Sequence, residues 1–296
     1  MPDTWNAELL LDARAELGEG PCWDEARGGL WWIDIKSCKV HFYTPSSGEN
    51  RSYDVGERVG TVVLRENGGL LVALENGMST LDPDTGAVDP FLELETDLPG
   101  NRFNDGKCDP AGRFWVGSME IAEENMDRGF LYAIGGDKSV DKKFGGIGVS
   151  NGITWTSDRK TMYYIDSPTR QVDAFDYDDA TGAISNRRCA VALPEGMGYP
   201  DGMAIDAEDK LWVALWAGSG VARFDPTNGE LLGKIEVPGV SNVTACAFVG
   251  PNFDELFITT ARHNLEEDQL KAQTHAGSLF HAKVGVPGAK FYPFAG

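Results

Sequence analysis

The stretch GMAIDAEDKLWVALW, residues 202–216, decides the fold. An apolar run ends at a polar turn, and a second run rich in aromatic and β-branched residues follows. That alternation predicts a β-hairpin. The phrase recurs five times: PCWDEARGGLWWIDI (21–35), TVVLRENGGLLVALE (61–75), GKCDPAGRFWVGSM (106–119), GITWTSDRKTMYYIDS (152–167) and ACAFVGPNFDELFITTA (245–261). The first apolar residues after the turns are Leu30, Leu70, Phe114, Met162, Leu211 and Leu256, spaced by 40, 44, 48, 49 and 45 residues.

Most copies continue with a third run that ends at a second turn, as in VHFYTPSSG (40–48), MSTLDPDTG (78–86), VDAFDYDDATG (172–182) and VARFDPTNG (221–229). GFLYAIGGD (129–137) and SLFHAKVG (278–285) are shorter variants, and a fourth run such as LLGKIEV (231–237) leads to the next copy. Four strands per copy at this period predict an all-β chain. It is a six-bladed β-propeller with four antiparallel strands per blade, in one domain over 1–296. A two-layer β-sandwich supplies no reason for six evenly phased copies. The ring must close, or edge strands stay exposed. Either ELLLDA (8–13) or KFYPF (290–294) is able to complete the last blade, and the N-terminal strand is expected as its outer strand. The one helix-period segment is NLEEDQLKAQ (264–273).

The 296 residues carry a formal charge of −20. Such a field repels phosphate backbones and anionic membranes, so no nucleic acid and no membrane is expected as a partner. A bound cation or a small neutral ligand suits it better. No stretch approaches the roughly 18 apolar residues of a membrane helix, and the N-terminus lacks the basic and apolar regions of a signal peptide. The five cysteines are scattered and form no C-x-x-C pair. A disulfide framework is not expected, the reducing cytoplasm is the expected location, and the chain is expected to be a monomer or a weak homo-oligomer.

In a propeller the innermost strand of each blade lines a central channel, and its first residues share one mouth. Ten or eleven residues before the anchors stand Glu19, Gly60, Asn104, Asn151 and Asp201; the last copy has Asn242, Val243 and Thr244 there. Four of these positions carry a side-chain oxygen beside Gly or Pro, in GEGP, FNDG, SNGI and PDG. Such residues also serve as ordinary turn formers. Four in phase on one rim point instead to a shared ligand. Converging oxygens without a basic partner are costly in a dry channel. One divalent cation resolves this: Glu19 and Asp201 neutralise it, and the amides of Asn104 and Asn151 fill further positions. The donor set suits Ca²⁺, Mg²⁺ or Mn²⁺, and Zn²⁺ with water completing its sphere. Arg102 is the nearest cation, placed to bond a sugar hydroxyl or a developing carboxylate, or else to pair with a rim acid. The ends of the second strands add Asp34, Glu75, Met119, Glu120, Asp166, Ser167, Trp216, Arg262 and His263 to the rim. No G-x-S-x-G, P-loop or dinucleotide fingerprint is present.

Several segments resemble the gluconolactonase/regucalcin (senescence-marker) family of sugar lactonases. They are LGEGPCWDEARGGLWWIDI, NRFNDGKCDPAGRFWVGSM, GVSNGITWTSDRKTMYYIDS, YPDGMAIDAEDKLWVALW, DAFDYDDATGAISNRR and LFITTAR. The likeness runs from about Leu17 to the end, and the family is a six-bladed propeller. It implies a divalent metal held by Glu19, Asn151 and Asp201. Asn104 would lie beside it, touching a water or the substrate, and Arg102 would bind substrate. The family also uses a glutamate after the G-[ST]-M turn, for which Glu124 is the better match and Glu120 the second.

The implied reaction opens a sugar lactone to an aldonic acid, with the metal as Lewis acid and Asp201 as general base. The alternatives are an organophosphate or aryl-ester hydrolase on the same centre, or a non-enzymatic calcium-binding propeller.

Overall fold

The six anchors Leu30, Leu70, Phe114, Met162, Leu211 and Leu256 are each no more than 1% exposed. Each stands at, or one residue from, the start of the second strand of its blade. Burying such a side chain contributes about 1.5–3 kcal/mol, so the repeat period is fixed by burial. The computed structural model describes residues 2–296.

The chain opens with β1 (Asp3–Asn6) and β2 (Glu8–Leu11). Blade 1 is β3 (Gly18–Asp24), β4 (Gly29–Asp34), β5 (Lys39–Thr44) and β6 (Glu49–Asp54). Blade 2 is β7 (Thr61–Leu64), β8 (Leu70–Ala73), β9 (Gly77–Leu81) and β10 (Val88–Glu93). Blade 3 is β11 (Asn101–Cys108), β12 (Phe114–Glu120), β13 (Gly129–Ile134) and β14 (Val140–Ile147). Blade 4 is β15 (Ser150–Trp155), β16 (Thr161–Asp166), β17 (Gln171–Tyr177) and β18 (Ile184–Ala192). Blade 5 is β19 (Tyr199–Ile205), β20 (Leu211–Trp216), β21 (Gly220–Asp225) and β22 (Glu230–Glu236). Blade 6 is β23 (Val243–Val249), β24 (Glu255–Thr260) and β25 (Leu279–Lys283).

Every blade is an antiparallel meander, and β2 completes blade 6 beside β25. The six-bladed propeller closed by the N-terminal strand is thus the observed architecture. One strand was not anticipated: β1 runs parallel to β22 as a fifth strand of blade 5. The innermost strands β3, β7, β11, β15, β19 and β23 each pack on the next, and β23 returns to β3. Among the described residues no helix is long and apolar enough to cross a membrane.

A local device recurs in the first hairpin of blades 1, 3 and 5. The turn aspartate spends one oxygen on turn amides and the other on the indole of a second-strand tryptophan. The pairs are Trp31 Nε1 to Asp24 (3.1 Å), Trp115 Nε1 to Asp109 (2.8 Å) and Trp212 Nε1 to Asp206 (2.9 Å). The tryptophans are buried, so each indole N–H needs its acceptor.

KFYPF forms no strand of a blade. Residues 287–295 cross the far end of the channel and tie blades 2, 3 and 5 together. Phe294 N–H bonds Leu64 O (2.8 Å), Ala295 N–H bonds Gly112 O (3.0 Å) and Ala289 N–H bonds Ile205 O (3.0 Å). Within 264–273 one short helix forms, α1 (Glu267–Ala272), opened by a capping box of Glu266 and Gln269.

Candidate functional site

Strict alternation along a strand would send neighbouring side chains to opposite faces. The innermost strands break alternation at the mouth. Register shifts fall between Glu19 and Cys22, between Phe103 and Gly106, between Asn151 and Ile153, and between Pro200 and Met203. Each bulge adds an unpaired residue and re-aims its neighbours. Glu19, Asn104, Asn151 and Asp201 all stand in or beside one. In blade 2 the equivalent is Gly60, where an added Cβ would meet Phe103 O at 2.3 Å. No side chain fits there, so blade 2 gives nothing to the cluster.

The four residues meet. Asn104 Nδ2 donates to Asn151 Oδ1 (3.1 Å) and to Ser150 O (2.7 Å). Asn151 Nδ2 donates to Ser167 Oγ (2.8 Å), whose hydroxyl donates to Pro200 O (2.6 Å). Glu19 and Asp201 stand close enough for each to act on the other's titration. All four are buried and line one cavity of about 420 Å³. Met119, Ser167, Trp216 and His263, expected on the rim, line it too. Asp34 and Asp166 do other work: they accept from loop amides, Asp34 from Glu16 and Leu17, Asp166 from Gly148 and Val149.

Electrostatics set this cluster apart. Burial, then the nearby Asp105, pushes the Glu19 carboxyl up to about 8. Burial, then Glu19, raises Asp201 well above the usual carboxylate range. Burial raises Asp105 as well, and Lys107 below it donates from Nζ to Met203 O (2.8 Å). Arg102 is lowered to about 10 by burial, partly offset by Glu123. Its Nη1 donates to Asn104 Oδ1 (2.6 Å) and Phe103 O (3.1 Å). Among the described residues no carboxylate forms an ion pair with it, so the rest of the guanidinium faces the cavity.

Two buried carboxyls, both raised by burial, with amide oxygens beside them fit a hard divalent cation, which would favour their charged forms. The fit rests on mixed donors. Among the described residues no three His, Cys, Asp or Glu side chains are grouped to hold a metal.

The expected substrate glutamates are placed differently from the sequence reading. Glu120 is buried, and its carboxylate accepts from Glu124 N (2.9 Å), Asn125 N (2.7 Å), Asn125 Nδ2 (2.8 Å) and Arg128 Nη1 (3.1 Å). It thereby closes its own loop. Glu124 is exposed. Glu123, with φ of 57°, is the glutamate of this loop that lines the cavity. Sequence reasoning also missed Tyr199, which lines the cavity, and Asp105, whose charge acts on Glu19 and Asp201.

Residues 17–262 match the model of the SMP-30/Gluconolactonase/LRE-like region. Regucalcin of Xenopus laevis is 40% identical over 294 residues, covering 98% of both chains. A calcium-binding protein, regucalcin, from Agrobacterium tumefaciens superimposes with a TM-score of 0.94 at 29% identity, covering 99% of both chains. A luciferin-regenerating enzyme gives 0.91 at 32% identity, covering 98% of this chain and 100% of that one. The likeness spans all six blades and the mouth where the four oxygen-bearing side chains converge, and the chain belongs to the SMP-30/gluconolactonase/LRE-like family.

Proposed function

We propose that the chain is a metal-dependent hydrolase that opens sugar lactones to aldonic acids. The observation that carries this is that Glu19, Asn104, Asn151 and Asp201 line one cavity whose wall also presents Arg102. The residues that would hold one divalent ion are Glu19, Asn151 and Asp201, with Asn104 beside them. When bound, the ion supplies Lewis-acid polarisation of the lactone carbonyl.

The remaining work falls to the chain's own groups. An Asp201 carboxylate oxygen takes the proton of the attacking water as its oxygen bonds the carbonyl carbon. The ring C–O bond then breaks, and that proton passes to the leaving ring oxygen. Lactone and water thus become one hydroxy acid. Arg102 donates to substrate oxygens with the N–H groups it does not spend on Asn104 and Phe103. Asn104, braced by Asn151 and Ser150, keeps Arg102 in place. The buried walls exclude bulk water from the carboxylates, which strengthens each of these interactions.

The reading includes a small-molecule substrate, a monomer or weak homo-oligomer, and a cytoplasmic location suited to five free cysteines. A second reading is a non-enzymatic calcium-binding propeller. It is favoured by the Agrobacterium neighbour's description as a calcium-binding protein. A pH-indicator assay over glucono-, galactono-, arabinono- and xylonolactones and an aryl ester, with each divalent ion in turn, separates the two. Ion-dependent acid release from an aldonolactone is expected. Inactivity throughout, with tight calcium binding, supports the second reading.

A further inference from the structure

Beside the main cavity lies a second lobe of about 330 Å³. The two share Arg102, Glu123 and His263 in their walls, so they form one continuous mouth. The second lobe adds Lys36 and Arg58. Three permanent cations therefore face one space in a chain of net charge −20.

Their local partners leave them under-compensated. Arg58 Nη1 pairs with Glu75 Oε1 at 2.8 Å. Lys36 Nζ lies 2.9 Å from His263 Nδ1. An ammonium has only donors, so the imidazole nitrogen accepts, and the ring offers no negative charge. Arg102 is buried, and its nearest hydrogen-bond partners are neutral oxygens. Of the charged groups that line the second lobe, Lys36, Arg58 and Arg102 are cations and Glu123 is the carboxylate, with Glu75 paired to Arg58. A hydroxyl placed here accepts from charged donors but brings no charge of its own. A carboxylate or phosphate adds ion pairing to those bonds, in the forked geometry that arginine favours.

We propose that the lactone this pocket takes carries an anionic group, a carboxylate or a phosphate, away from its carbonyl, and that Lys36, Arg58 and Arg102 seat that group in the second lobe. This rests on the lactone-opening reading of the same pocket. Glu19 and Asp201 define where the carbonyl sits, and the basic lobe lies to the side of it. The overall negative field repels such a substrate at a distance, so the lobe acts as a local sink whose attraction falls with salt.

The test compares two matched pairs with a divalent ion supplied. One pair is the δ-lactone of gluconic acid and its six-phosphate ester. The other is the γ-lactone of gluconic acid and the monolactone of glucaric acid. At least one anionic member should exceed its neutral partner roughly tenfold in kcat/KM, chiefly through KM, with the advantage shrinking as salt is added. The pair with the larger ratio tells phosphate from carboxylate. Lys36→Gln and Arg58→Gln should each lower the anionic-to-neutral ratio roughly three- to tenfold. Calorimetric titration of the ring-opened acids, glucarate and 6-phosphogluconate, should weaken by a similar factor in both variants. Ratios at or below one for both pairs, with the neutral lactones opened, would overturn the anionic lobe and leave the lactonase reading standing. If the wild-type chain opens no lactone of either kind, both fall.

Discussion

Exchanging Glu19 for glutamine removes a buried carboxyl while keeping the side-chain volume. In the folded, cation-free chain Glu19 sits at about 8, against an ordinary value of 4.5. Between those values the folded state keeps a proton that the unfolded chain has released. The associated stability is therefore fully present below about pH 4.5 and lost as pH rises through about 8. At a working pH of about 7.5, roughly three units at 1.36 kcal/mol each set an upper bound of about 4 kcal/mol, and relaxation brings the range to about 2–4 kcal/mol. A chain of 296 residues has an unfolding entropy of about 0.6 kcal/mol per degree at Tm, so this range corresponds to about 3–6 °C. Glu19→Gln removes the group that carries this penalty. In chelator it should melt several degrees above wild type near pH 7.5, and its Tm should decline less between pH 5 and 8. Calcium offsets most of this difference. A hundredfold excess over Kd adds about 2.7 kcal/mol, or about 4 °C, to wild type, and much less to the variant. Scanning calorimetry with chelator and with calcium reads both effects. A variant that melts below wild type in chelator, or that gains as much from calcium, would refute the reasoning.

Other consequences are as open to measurement. Asp201→Ala should fold and lose about 10²–10⁴ in lactone turnover with the divalent ion saturating; unchanged kcat would remove Asp201 from the proton transfer. His41, stacked on Trp32 at 4.1 Å, is held at about 4 chiefly by burial, against an ordinary 6.5. The unfolded chain alone binds its proton in that window, so His41 contributes stability above about pH 6.5 that is lost as pH falls through 4, at most about 3 kcal/mol. His41→Gln should flatten the fall of the urea midpoint over that range, and parallel curves would discard the idea. Leu211→Ala, at a site with 0% exposure, should cost about 2–5 kcal/mol by equilibrium unfolding; a cost under about 1 kcal/mol would mean that the anchor is not a core position.

Burial made the fold legible. Each anchor must be apolar, each hairpin needs its turn residues, and the two together set a period that survives the sequence differences between Leu30, Phe114 and Met162. β1 was hidden because DTWN is short and half polar, and its pairing with β22 depends on where the chain has already been carried. The four oxygen-bearing positions were legible from phase alone. The bulges that aim them were not, since an added residue leaves no mark in a pattern of period two. That is also why Asp105, one residue after Asn104, went unread. The glutamate of the 121–128 loop depends on which carboxylate the loop consumes for itself. Glu120 takes four donors and closes the turn, and the positive φ of Glu123 brings that residue to the cavity wall. Sequence spacing carries neither fact.

The most direct measurement removes the divalent ions with chelator, dialyses the chelator away, and follows glucono-δ-lactone opening by pH indicator as one ion is titrated back. Four side chains gathered from blades 1, 3, 4 and 5 around one divalent ion predict hydrolysis at the spontaneous rate before addition and full rate at one equivalent per chain. Undiminished turnover in the stripped protein would contradict the account at its centre.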